Sequence, residues 1–158
     1  MAYESYLWSQ FFRQHFVCSS GTQFTPIIAL VADIQPIVLV IDDDGDFAEF
    51  IGSIIEGVDC RAVVATDGLT GVILAREVRP ALILCDFSMP GFDGGEVFQA
   101  LQADPATADV PRVLMSGHGC PDLRVIPADA FIAKPINTQS LQRLVRAFTR
   151  AQSVAVAD

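Results

Sequence analysis

Five short apolar runs beyond residue 36 constrain this fold more than any other feature of the chain. They are residues 37–41 (IVLVI), 61–65 (RAVVA), 81–85 (ALILC), 110–115 (VPRVLM) and 130–133 (AFIA). Each has the length of a strand and is mostly β-branched or aliphatic. They run as continuous apolar stretches rather than alternating, as strands of a parallel sheet covered on both faces do. Helical patterns fill the gaps. Phe47, Phe50, Ile51, Ile54 and Ile55 keep an i, i+3, i+4, i+7, i+8 stripe. Leu69, Val72 and Ile73 begin a second helix, and Val97, Phe98 and Leu101 a third. Leu141, Leu144, Val145 and Phe148 mark a final helix, with Asn137 or Thr138 as its N-cap. Strands alternating with helices predict an α/β domain with right-handed crossovers.

The 158 residues suit one such domain, and 51% hydrophobic content is enough for its core. A formal net charge of -9 argues against nucleic-acid binding, because phosphate backbones recruit basic patches. Four cysteines (Cys18, Cys60, Cys85, Cys120) form no CxxC pair and read as buried, reduced thiols of a cytoplasmic protein. His15 with Cys18 and His118 with Cys120 lack the spacing of a zinc site.

Residues 1–36 differ from the rest: Tyr3, Tyr6, Trp8, Phe11, Phe12, Phe16 and Phe24 stand among only three formal charges, Glu4, Arg13 and Asp33. No basic segment precedes an apolar one, as a secretory signal requires. Asp33, Gln35 and Pro36 interrupt the stretch 27–41, so no membrane span is expected. The reading is a flexible N-terminal extension over 1–36, one domain over 37–150 and a tail over 151–158, with no output domain attached. A second reading makes the extension a docking segment, since Tyr3, Leu7, Phe11 and Phe12 fall near helical spacing.

In an open parallel sheet, ligands bind where the carboxyl ends of the strands meet at a topological switch point. After the first run stand Asp42, Asp43 and Asp44; after the third, Asp86; after the fourth, Ser116 and Gly117; after the fifth, Lys134 and Pro135. Thr66 and Asp67, after the second, read as a helix cap. Four strand ends thus bring carboxylates, a hydroxyl and an ammonium to one crevice. Carboxylates held together repel, and a hard divalent cation such as Mg²⁺ relieves the conflict using one or two of them plus waters and phosphate oxygens. Asp86 can then stay ionised as a nucleophile toward phosphorus, with Lys134 and the Ser116 hydroxyl each donating to a phosphoryl oxygen. Lys134 is the only lysine among ten basic residues, which suits a compact point charge rather than a planar fork.

Residues 37–46 (IVLVIDDDGD), 81–94 (ALILCDFSMPGFDG), the Met115-Ser116-Gly117 step and 131–135 (FIAKP) resemble the receiver domain of two-component response regulators. The order is that family's, and the resemblance runs from about residue 37 to residue 150. It implies a flavodoxin-like doubly wound sheet of strand order 2-1-3-4-5. It also implies Asp86 as the phosphoacceptor, Asp43 as a direct Mg²⁺ ligand, Asp42 as a second acidic ligand through water, and the Ser88 carbonyl completing the set. Ser116 becomes the hydroxyl that swings toward the phosphoryl group, and Phe131 the aromatic that turns in behind it; plain core packing is the other reading of Phe131. Asp44 is expected as a first-turn acid or N-cap, and Asp93 with Gly94 as a turn.

Two departures stand out. Gly45 replaces a frequent proline, and Lys134 follows Ser116 by only 18 positions, with Pro121 and Pro127 in the interval. The fourth helix, between the last two strands, is therefore expected to be short, irregular or missing. The function implied is a single-domain response regulator that takes a phosphoryl group from a histidine kinase or histidine phosphotransfer protein and is not an enzyme in its own right. Its alternatives are a phosphate-independent receiver-like scaffold and a phosphatase of the haloacid-dehalogenase type. The phosphatase would need its nucleophile after the first strand.

Overall fold

The computed structural model describes residues 35–119 and 122–155. All five expected strands form: β1 (Ile37–Ile41), β2 (Arg61–Ala65), β3 (Leu82–Asp86), β4 (Arg112–Ser116) and β5 (Ala130–Ala133). They make one parallel sheet in the order β2-β1-β3-β4-β5, so every carboxyl end emerges at the same edge. β3 and β4 run one residue further than their apolar runs, which makes Asp86 and Ser116 the last residues of their strands. The functional groups are therefore held by the ladder itself.

Four helices connect or follow the strands among the described residues: α1 (Gly45–Glu56), α2 (Gly68–Val78), α3 (Gly94–Ala103) and α4 (Thr138–Ala155). Successive strand residues point to opposite faces, and the core divides accordingly. Val38, Val40, Leu82, Leu84, Val113 and Met115 pack with Ala48, Ile51 and Ile55 of α1 and Leu141 and Val145 of α4. Leu39, Ile41, Ile83, Cys85 and Leu114 pack with Val72 and Ala75 of α2 and Val97, Phe98 and Leu101 of α3. Acidic or amide side chains start each helix by accepting an otherwise unpaired backbone N–H. Asp44 accepts from Phe47 (3.0 Å), Asp67 from Thr70 (2.8 Å) and Asn137 from Ser140 (3.1 Å). Asp93 and Glu96 cap α3 reciprocally, each accepting the other's backbone N–H at 2.9 Å.

Two expected helix faces are drawn differently. Phe50 is 51% exposed although it lay on the α1 stripe. On α2, Leu69 and Ile73 face solvent, and the packed side is built from Gly68, Gly71, Val72 and Ala75. The helix lies too close to β1 for larger groups: a Cβ at Gly71 would stand 2.5 Å from Ile41 Cδ1. Small residues set that face, and apolar periodicity is blind to them.

No helix links β4 to β5 among the described residues. Residues 122–126 form a local turn, in which the Asp122 carbonyl accepts from Val125 at 3.0 Å and Ile126 at 3.3 Å. Leu123, Ile126 and Ala128 lean against the α2/α3 side of the core. α4 continues past Arg150 to Ala155. Cys60 and Cys85 are buried free thiols, while Cys18, Cys120 and the expectations for residues 1–34 lie outside the described residues. No helix among the described residues is long and apolar enough to cross a membrane.

Candidate functional site

β1 and β3 are neighbours whose following helices pack on opposite faces of the sheet, so the crevice opens between their carboxyl ends. Asp42 and Asp86 stand there, 1% and 5% exposed. Lys134, one residue past β5, reaches back across β4 and binds both, with Nζ 2.7 Å from Asp42 Oδ2 and 2.6 Å from Asp86 Oδ1. Each carboxylate also accepts a backbone N–H, from Asp44 at 3.1 Å and from Ser88 at 2.7 Å respectively. The strand ends are fixed in turn: the backbone N–H groups of Asp42, Phe87 and Lys134 donate to the carbonyls of Ala65, Met115 and Ser116.

Two carboxylates share one ammonium, which leaves one negative charge in excess when both are ionised. Burial raises the Asp42 carboxyl above its ordinary value. The hydrogen bond and charge of Lys134 and the Asp44 amide offset only part of that, and Asp86 adds to the rise. Burial alone would lower Lys134, but its hydrogen bonds and charge contacts with Asp42 and Asp86 outweigh this and hold the ammonium above its ordinary value. Burial also pushes the neighbouring Cys85 thiol well up, with Asp86 and Asp42 adding to it, so that sulfur stays protonated beside the carboxylates.

The remaining expected residues surround this contact without joining it. Ser116 is buried beside the site, on the strand between Asp86 and Lys134, and its Oγ accepts the His118 N–H at 3.1 Å. Asp43 is exposed at the rim and Ser88 is exposed beyond Asp86. Phe131 lies opposite Leu114 on β5, half-buried against the α2/α3 side of the core. Among the described residues no three acidic, histidine or cysteine side chains are grouped to hold a metal as they stand. The donor chemistry still suits Mg²⁺: hard carboxylate oxygens carrying uncompensated charge, few enough that the ion keeps waters.

One residue of the site escaped the sequence reading. The Phe47 ring lies over the Lys134 ammonium, 4.3 Å from Nζ to the ring centroid. Its position one turn beyond the acidic cluster was the available signal, but the apolar stripe absorbed it as core.

The sequence profile of the response regulator receiver domain matches residues 38–146. The chain belongs to that family. It is similar to the DNA-binding dual master transcriptional regulator RpaA of Synechocystis, 31% identical over 73% of this chain and 50% of that protein. The chain thus spans about half the length of this relative. Among solved structures it resembles the Vibrio cholerae chemotaxis protein CheY4, at 19% identity and a TM-score of 0.69, over 73% of this chain and 99% of that one. It also resembles the receiver domain of the Pseudomonas aeruginosa sensor histidine kinase PA1611, which holds a magnesium ion in its active-site cleft. That match has 21% identity and a TM-score of 0.68, over 73% of this chain and 98% of the other. Receiver domains are signalling domains of two-component systems, and this chain has their five-stranded 2-1-3-4-5 sheet.

Proposed function

We propose that this receiver carries signal as a phosphoryl group on Asp86, taken from the phosphohistidine of a histidine kinase or a histidine phosphotransfer protein in the cytoplasm. The observation that carries the reading is the Lys134 bridge, one ammonium gripping two buried carboxylates that arrive from different strands. An Asp86 oxygen attacks phosphorus, the P–N bond of the donor breaks, and the leaving imidazole keeps the electron pair and takes up a proton. Lys134 is already at hydrogen-bond distance from the nucleophile, so it needs only to exchange a carboxylate oxygen for a phosphoryl oxygen as charge moves outward. Ser116, whose hydroxyl is buried one strand away, supplies a neutral donor to another oxygen. Phe131 would follow that hydroxyl inward and pass the change to the surface near β5.

Asp42, Asp43, Asp86 and the Ser88 carbonyl would hold Mg²⁺. The ion's role when bound is to neutralise the charge that Lys134 alone leaves uncompensated and to screen a phosphoryl oxygen. The magnesium in the cleft of the PA1611 receiver supports that choice of metal.

Intact-mass spectrometry after incubation with acetyl phosphate and Mg²⁺ tests the proposal. One added phosphoryl group, labile to base and absent from Asp86→Asn, is expected. Equal labelling of Asp86→Asn would remove the assignment.

A further inference from the structure

Lys134 is held by more than its two carboxylates. Asp44 caps α1 and accepts the Phe47 N–H at 3.0 Å, which fixes the first turn of that helix. The turn carries the Phe47 ring over Nζ at 4.3 Å from the centroid, within the range of a cation–π contact. Phe50 backs it, with ring centroids 6.4 Å apart and planes tilted by 44°. Phe47 is itself half-buried and packed on the α1/α4 side of the core. The ammonium therefore has Asp42, Asp86 and an aromatic face as its neighbours.

We propose that Phe47 is a positioning residue for phosphoryl transfer: its π-face keeps the Lys134 ammonium in place while that ammonium exchanges Asp86 for a phosphoryl oxygen. The inference rests on the function proposed above. The two carboxylates hold Lys134 through bonds that must be given up or shared during the reaction. A ring face attracts the cation without accepting a hydrogen bond, so it does not compete with the incoming oxygens. It also covers one side of the ammonium against water, which would otherwise solvate Nζ at the moment it lets go. An aliphatic side chain of similar bulk would give the cover but not the attraction.

The test measures the initial rate of labelling by acetyl phosphate with Mg²⁺ in the full chain. Phe47→Leu should slow labelling by about fivefold to tenfold, and Phe47→Tyr should keep a rate near the parent's. A trifluorinated phenylalanine at position 47 keeps the shape of the ring but cancels the negative charge of its face. It should slow labelling as Phe47→Leu does. This variant decides the question even if Phe47→Leu unfolds, because its packing is conserved. Parent-like labelling with the fluorinated ring would overturn the proposal and leave Phe47 a packing residue. If the parent takes no label, or Asp86→Asn takes as much, the function reading fails and this proposal falls with it.

Discussion

Residues 87–93 and 117–129 leave the neighbouring strands β3 and β4 at the same edge of the sheet, and they are tied down very differently. In the first connection the Phe87 N–H donates to Met115 on the next strand, Ser88 to Asp86, and Gly94 to Phe87. Met89 is buried, and the Asp93–Glu96 box closes the segment onto α3. The second connection begins with His118 on Ser116 and then bonds mostly to itself around Asp122. Among the described residues it is clamped again at Asp129, whose N–H donates to the Arg112 carbonyl and whose carboxylate accepts the Arg112 N–H. Val125 stands 70% exposed between these points. On the function proposed above, the contrast follows from two different tasks. Chemistry on a phosphoryl group needs donors preorganised to within fractions of an ångström. A segment that would report the event must change shape cheaply, which mostly local hydrogen bonds and an exposed tip allow.

The largest effect expected from breaking this arrangement lies at Lys134. Lys134→Met should slow labelling by acetyl phosphate by about 100-fold, the scale on which a single preorganised donor contributes. Lys134→Arg should recover only a small part, since a planar fork cannot sit between Asp42 and Asp86 as a point charge does. A rate within a few-fold of the parent for Lys134→Met would dissolve the central role of the bridge.

The next effect separates the two connections by stability. A Cβ at Gly94 would stand 2.3 Å from the Asp86 carbonyl oxygen, so the backbone behind the phosphoacceptor must move. Gly94→Ala should cost about 3 kcal/mol in urea unfolding, the upper end of overpacking. Val125→Ser, in the other connection, should stay within about 0.5 kcal/mol. Similar losses for the two would erase the contrast.

The smallest effect is a pH dependence at Asp42. Its folded carboxyl is raised above the ordinary 3.8, so the native state holds that proton more tightly than the unfolded chain. The stability this contributes is present below 3.8 and is lost as pH climbs through the raised value. Unfolding measured without Mg²⁺ should therefore show wild type losing stability relative to Asp42→Asn as pH rises across that window. A difference that is flat or opposite in sign would mean that burial does not govern Asp42.

Sequence reading reached the strand ends because each reactive group stands beside a continuous apolar run, and a parallel sheet sends all such ends to one edge. It placed Asp42, Asp86, Lys134 and Ser116 together, and the two prolines with the short spacing after Ser116 pointed to a fourth helix that is short, irregular or missing; none forms there among the described residues. Helix faces were less legible. Large apolar residues define a stripe, yet α2 docks through Gly68, Gly71 and Ala75 and turns Leu69 and Ile73 outward. The contact of Phe47 with Lys134 was hidden for another reason: the two lie 87 residues apart along the chain, and only the assembled sheet brings the ring over Nζ. Asp43, which the resemblance implies as a direct Mg²⁺ ligand, is exposed at the rim beside Asp42.

Borohydride reduction of the labelled protein tests the central claim most directly, because it converts an aspartyl phosphate to homoserine at the position that carried it. Peptide mass spectrometry should find homoserine at position 86 alone. Conversion at position 42 or 43 instead, or labelled protein with no conversion at all, would contradict the account.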